Sequence, residues 1–381
     1  MKNNIYSQIN IRPLINAWGT VSYIGGSRPH PEVVEAMKEA SRYFVNTYEL
    51  EKEVGKKIAK LTRNEAAFVT VSASAGLLLS AAAIMAGTDE KKRAQLPNTQ
   101  GMKNETLVLT ANKNPYYICV LPAGMKVRWI GDPYEPKLDE IENAIGENTA
   151  SFLCFPENSS RIAGLEVKEI VQICHDNSIP VIVDAASLIP PFENTWTYTR
   201  DLGADLAIFS GGKGLRGPQS SGFVVGKQKF IDMIMFFCPP LPYVTRPAKA
   251  SRELIMGLLK AVEIMAASSL EEIISEIENR VDYIYKRLQG IPGIKIKKHF
   301  CTDKKPFNHL RVFIDKKITG LSSFELARTL DEGNPRIVVG EPSYNAPWVN
   351  MPKDGIIINA ETLTFKEAKV VSSKIIDILL K

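Results

Sequence analysis

Between residues 106 and 225 the chain turns apolar again and again, for four to six residues at a time. The runs at 106–111, 126–130, 151–155, 179–183, 206–209 and 222–225 read as strands. Their apolar character is near-continuous, which suits a parallel sheet buried on both faces. A further strand is expected at 66–71. Helical stretches alternate with these runs. Pro31 opens one at 31–40, and Leu50, Val54, Ile58 and Leu61 recur at helical spacing in the next. Residues 77–86 form an apolar helix, and 165–177 reads as a crossover between two strands. The alternation predicts an α/β domain with a large, mainly parallel, seven-stranded sheet.

Residues 88–106 are polar and carry proline and glycine, so a surface loop is expected there. The proline-rich stretch at 236–243 marks a break. A helical region at 251–289 follows, and then the chain changes character. Short strands at 294–298, 309–314, 336–339 and 355–359 are joined by helices near 322–331 and 364–380. The expected division is a large domain over residues 1–245 and a small α+β domain over 246–381.

Composition bounds the partners. The 47 basic and 42 acidic residues are interspersed, and a net charge of +5 is too mild and scattered to argue for nucleic acid. Cys119, Cys154, Cys174, Cys238 and Cys301 are widely spaced and odd in number, so reduced, mostly buried thiols and a cytoplasmic protein are expected. The start lacks the apolar core of a signal peptide, and no stretch is apolar enough for long enough to span a membrane. His30, His175, His299 and His309 lie far apart in sequence, so no metal site is expected.

Chemistry concentrates in a glycine-rich loop. Ser210-Gly-Gly-Lys213-Gly-Leu-Arg216 directly follows one apolar strand, and Asp184 ends an earlier one. A lysine amine in such a loop can form a Schiff base with the aldehyde of pyridoxal phosphate (PLP). A carboxylate at the carboxyl end of a parallel strand points into the ligand crevice and can keep the pyridine nitrogen protonated. The loop is not a nucleotide-binding P-loop, because the residue after Lys213 is glycine and the required spacing is missing. Ser72-Ala-Ser74-Ala75-Gly lies between a strand and a helix, where unpaired amides favour a phosphate. Ser72, Ser74 and Ala75 are therefore candidates for the cofactor phosphate, with Ser210 adding a hydroxyl. Arg28, Arg216, Arg246 and Lys249 are candidates for anionic groups of a substrate.

These residues carry a resemblance. The stretch from Leu14 to Arg28, residues 69–76, Val183-Asp-Ala-Ala186, the lysine loop and Arg246-Pro-Ala-Lys249 resemble the selenocysteine synthase-like PLP enzymes, above all the D-glucosaminate-6-phosphate ammonia-lyase group. The resemblance implies PLP fold type I, the aspartate aminotransferase-like fold, and a homodimer or larger assembly with its active site at a subunit interface. It implies Lys213 as the Schiff-base lysine, Asp184 as the pyridinium partner, Ser74 and Ala75 in the phosphate cup, and Arg28 near the substrate. Two positions depart from the group. Asn112 stands where it usually carries a histidine, and the C-terminal strand reads Arg336-Ile-Val-Val-Gly340, with the arginine expected at its end missing or shifted to Arg336. Asn112 joins the substrate-facing candidates. The tRNA-engaging N-terminal region of the selenocysteine synthases is not expected here, nor is any nucleic-acid or membrane partner. The expected activity is α,β-elimination with ammonia release from a small anionic amino acid or amino-sugar acid. Transamination, racemisation and a non-catalytic binding protein are the alternatives.

Overall fold

The apolar runs assemble into one seven-stranded sheet. A computed structural model describes residues 4–156, 161–302, 305–341 and 354–380. The strands are β1 (Ala66–Thr70), β2 (Glu105–Leu109), β3 (Lys126–Ile130), β4 (Thr149–Cys154), β5 (Val181–Asp184), β6 (Leu206–Ser210) and β7 (Gly222–Gly226). Their order is β1-β7-β6-β5-β4-β2-β3. Strands β1, β4 and β7 are buried at every position. Strand β3 lies at the edge and exposes Lys126 and Arg128, charges that discourage pairing with another strand.

Only β7 reverses direction, being antiparallel to both neighbours. The other pairings, β2–β3, β2–β4, β4–β5 and β5–β6, are parallel. The start of β7 therefore lies beside the ends of β1 and β6: Gly222 pairs with Thr70 on one side and Ser210 on the other. The loops leaving β1, β5 and β6 at their carboxyl ends gather along this edge, where open α/β sheets bind ligands.

Helices cover both faces. They include α1 (Pro31–Ala40), α2 (Thr47–Leu61), α3 (Ala73–Ala86), α4 (Val167–Asp176), α5 (Gln228–Phe236) and α6 (Arg252–Ala267). Helix α3 is apolar all round and buried almost throughout, as such a composition demands. It sits tight on the sheet: a Cβ at Gly76 would come within 2.9 Å of Ile208 and 3.1 Å of Val224. Helix α4 buries Val167, Ile170, Val171 and Cys174 at helical spacing, as a crossover between β4 and β5 must. Helix α2 covers the open edge of β1, where Glu51 accepts the Val69 N–H at 3.2 Å.

The chain divides into two units elsewhere than at residue 245. One unit is Arg28–Ser268; the other joins Met1–Ser27 to Ser269–Thr302 and Pro306–Lys381. Two interactions explain the difference. Leu14–Asn16 pairs in parallel with Arg336–Val338, which draws the N-terminal segment into the smaller unit. Helix α6 packs on α1 and α2 and so belongs to the larger one. The expected helical region 251–289 is two helices, α6 and Leu270–Leu288, the second capped by Ser269. Within the smaller unit, Ile294–Thr302, Lys305–Ile314 and Gly355–Ile358 form a three-stranded sheet. Val281, Ile284, Phe307, Leu310, Leu326 and Val371 are among the residues of its core.

Two local expectations change. The polar stretch 88–106 holds a helix, Glu90–Gln95, because Asp89 caps its first turn through the Lys91 and Lys92 amides. His299 and His309, distant in sequence, stand on strands of one sheet with ring centroids 4.9 Å apart, and Arg311 contacts both. No cluster of three metal-ligating side chains occurs among the described residues. Cys154, Cys174 and Cys238 are buried and Cys119 half-buried, all as free thiols, while the Cys301 side chain lies outside the described part. Among the described residues no helix is long and apolar enough to cross a membrane.

Candidate active site

Three loops meet at the carboxyl edge of the sheet. The first follows β1. Ser72 caps α3, its hydroxyl accepting the Ala75 N–H at 3.0 Å. This shifts the phosphate-binding expectation by a residue or two. The Ala75 amide is taken by the cap, so the donors left at this helix start are those of Ala73 and Ser74. Gly222 makes room for them: a Cβ there would lie 2.6 Å from the Ala73 nitrogen. The Ser74 hydroxyl hydrogen-bonds Cys119.

The second loop follows β5. Asp184 accepts the Ala186 N–H at 3.0 Å. Burial raises its carboxyl above the ordinary aspartate value, against the opposing pull of the Lys213 charge and the Ala186 amide. A carboxylate in such a place is stabilised by a cation or a strong donor placed before it.

The third loop carries Lys213 between β6 and β7. Its glycines serve close approach rather than freedom. A Cβ at Gly212 would collide with the Gln219 carbonyl, and one at Gly214 with the Ile189 carbonyl. The turn closes through the Arg216 N–H on the Lys213 carbonyl at 3.0 Å and the Gly217 N–H on the Gly211 carbonyl at 2.8 Å. Lys213 is half-exposed, within reach of Asp184. Ser210 ends β6 directly opposite Gly222.

The expected anion-binding residues part company. Arg216 and Arg28 come together, the Arg216 Nε donating to the Arg28 carbonyl at 3.2 Å, and both are exposed. Arg246 and Lys249 are exposed on the segment before α6; among the described residues neither forms a hydrogen bond or ion pair to the lysine loop. Asn112 is buried and grips a neighbouring strand end: its Nδ2 donates to the Phe155 carbonyl at 2.8 Å, and its Oδ1 accepts the Phe155 N–H at 2.9 Å. That is the geometry of a structural clasp. Arg336, the nearest arginine to the end of its strand, is taken by Asp331 through two bonds of 2.7 and 3.3 Å.

Cys119 was not singled out by sequence reasoning. It stands against Ser74 and feels the Asp184 charge. Burial raises its thiol and the Asp184 charge adds to the rise, against the opposing Ser74 bond, so it stays protonated. Its run, Pro115–Ala123, is so apolar that it reads as core. His30 joins the lysine loop through its backbone, its main-chain N–H donating to the Arg216 carbonyl at 3.2 Å.

The set fits a ligand with an anionic tail, a basic ring nitrogen and an aldehyde. The Ala73 and Ser74 amides suit the tail, the buried Asp184 suits a protonated ring nitrogen, and Lys213 suits the aldehyde. PLP has all three.

The chain is similar to known proteins. The profile of the Aminotransferase class-V family matches residues 109–344. D-glucosaminate-6-phosphate ammonia lyase of Salmonella typhimurium is 30% identical over 269 residues, 69% of this chain and 70% of that protein. A 5'-C-glycyluridine monooxygenase-decarboxylase of Streptomyces is 27% identical over 340 residues, 87% of this chain and 83% of its own. L-seryl-tRNA(Sec) selenium transferase of Clostridium perfringens is 26% identical over 74% of this chain and 65% of its own. Among solved structures, that of a D-glucosaminate-6-phosphate ammonia-lyase superposes with a TM-score of 0.82 at 23% identity, covering 100% of this chain and 99% of that one.

Proposed function

From the premise that this chain belongs to the class-V aminotransferase family, and is a PLP-dependent enzyme of the aspartate aminotransferase-like fold type I, we propose that it is an ammonia-lyase. It removes a β-substituent and ammonia from a small amino acid or amino-sugar acid by α,β-elimination. The observation that carries this reading is the meeting of Lys213, Asp184 and the open start of α3 on one sheet edge. The relative named D-glucosaminate-6-phosphate ammonia lyase supports the reaction class and makes that sugar acid the first substrate to test.

When bound, PLP supplies the electron sink that stabilises negative charge on the carbon beside the substrate amine. The residues of this chain do the rest. Lys213 provides the amine that holds the cofactor, and its Nζ is the base that takes the α-proton. Asp184 holds a proton on the ring nitrogen, which sustains the sink. The Ala73 and Ser74 amides and the Ser210 hydroxyl bind the cofactor phosphate. Arg28 and Arg216 orient the anionic end of the substrate. The enzyme works as a homo-oligomer in the cytoplasm, where Arg246 belongs to an interface active site.

Incubating the holoenzyme with D-glucosaminate 6-phosphate tests the proposal. Ammonia and a 2-keto acid, formed together and lost in Lys213→Ala, are expected. Recovery of the substrate unchanged or only inverted contradicts it. The Streptomyces relative supports a second reading, oxygen-dependent decarboxylation of an amino acid. Oxygen uptake with carbon dioxide release, and no ammonia, would select it.

A further inference from the structure

The segment that runs from Asp184 to Asn194 touches the lysine loop twice. At its start the Ala186 N–H donates to the Asp184 carboxylate at 3.0 Å. The Ala186 carbonyl accepts the Ser210 N–H at 3.3 Å, which ties the segment to the end of β6, where the lysine loop begins. Further on, the segment passes under Gly214. A Cβ there would stand 2.0 Å from the Ile189 carbonyl oxygen and 2.8 Å from the Pro190 ring. The residue after Lys213 thus rests directly on the Ile189 peptide. In so close a packing, a shift of that peptide is passed on to Lys213. One buried side chain holds the peptide in place. Asn194 is 5% exposed, and its Nδ2 donates to the Leu188 carbonyl, one peptide before the Ile189 carbonyl. Leu188 and Ile189 are themselves buried. Without the amide, the Leu188 carbonyl loses this donor in a place that water does not readily reach, and the segment shifts to satisfy it.

We propose that Asn194 is a positioning residue for Lys213. By gripping the Leu188 carbonyl it fixes the Ile189 peptide on which Gly214 rests, and so sets the lysine amine at its working distance from Asp184. It acts through the backbone of residues 188–190 and of the lysine loop. The inference deepens the function proposed above and rests on that reading only for Lys213 as the amine that holds PLP.

Two ligands separate positioning from general support. PLP carries an aldehyde that can bond the Lys213 amine. Pyridoxine 5'-phosphate carries an alcohol in its place and keeps the phosphate and the ring nitrogen. Both ligands call on the start of α3 and on Asp184, and only PLP calls on Lys213. A displaced amine therefore weakens PLP alone, whereas a loosened site weakens both.

The full-length protein, freed of its cofactor, is titrated with each ligand by calorimetry. Asn194→Ala is expected to bind PLP roughly ten- to a hundredfold more weakly than wild type, since a misplacement of about an ångström costs that much. Its affinity for pyridoxine 5'-phosphate is expected to stay unchanged. Asn194→Gln keeps the amide donor on a longer arm, so a smaller loss for PLP alone is expected; it carries the test if the alanine variant does not fold. Equal losses for the two ligands, or no loss for PLP, overturn the inference. Lys213→Ala checks the premise separately. If that variant keeps the wild-type preference for PLP over pyridoxine 5'-phosphate, it is the reading of Lys213 that fails.

Discussion

Asn112 closes on the backbone of Phe155 from both sides, donating to its carbonyl at 2.8 Å and accepting its N–H at 2.9 Å. The clasp joins the turn after β2 to the end of β4, neighbouring strands of the sheet. A side chain expected to face substrate thus holds the floor of the site together.

Asn112→Ala is expected to lower stability by about 2–4 kcal/mol, because it leaves two buried backbone groups without partners. Thermal or denaturant unfolding of the apo-protein checks it. Unchanged stability with a raised KM would return Asn112 to a substrate role.

Asp184→Asn separates stability from activity. Burial already raises the Asp184 carboxyl, so the charge is not what holds the loop. The amide is expected to leave apo-protein stability unchanged or improved near neutral pH. Turnover is expected to fall by about a hundredfold or more, because the ring nitrogen loses its ionic partner. Stability and kcat measured on one preparation test both halves.

Glu51 predicts a pH dependence. It is 5% exposed, and burial pushes its carboxyl up to about 8 from an ordinary 4.5, the Val69 amide opposing. Between those values the unfolded chain has lost a proton that the folded chain keeps. Folding stability from this group is therefore full below pH 4.5 and declines until about pH 8, at up to about 1.4 kcal/mol per pH unit. Glu51→Gln retains an acceptor for Val69 and removes the slope. Its gain over wild type is expected to grow from about pH 5 to about pH 8 and then level off. A gain that does not vary with pH contradicts the assignment.

Gly214→Ala drives a methyl group into the Ile189 carbonyl and to 2.8 Å from the Pro190 ring. The expected cost is about 1–3 kcal/mol, together with weaker retention of the cofactor as the lysine turn shifts. Melting curves and the visible absorbance of the purified protein check it.

Much of this was legible in the sequence for identifiable reasons. Strands β4 and β5 are nearly unbroken apolar runs because helices cover both faces, and Asp184 and the Lys213 loop stand where such strands end. The strand Leu14–Asn16 was not legible. It is three residues long, and its partner Arg336 lies at the other end of the chain. The same pairing moved the domain division. The Ser72 cap shows another limit: the sequence offers this turn as a candidate for a phosphate, but only the bond to the Ala75 amide shows which donors remain at the helix start. Arg216 looked like one cation among several. Its left-handed backbone and its bonds to Arg28 and His30 come from tertiary packing, which no local pattern encodes.

The account depends most on Lys213 holding the cofactor. Reducing the yellow holoenzyme with borohydride, digesting it and sequencing the labelled peptide by mass spectrometry tests this directly. The pyridoxyl label is predicted on Lys213 alone, with none in Lys213→Ala. A label on any other lysine, or no label on a protein that retains its colour, would contradict the account.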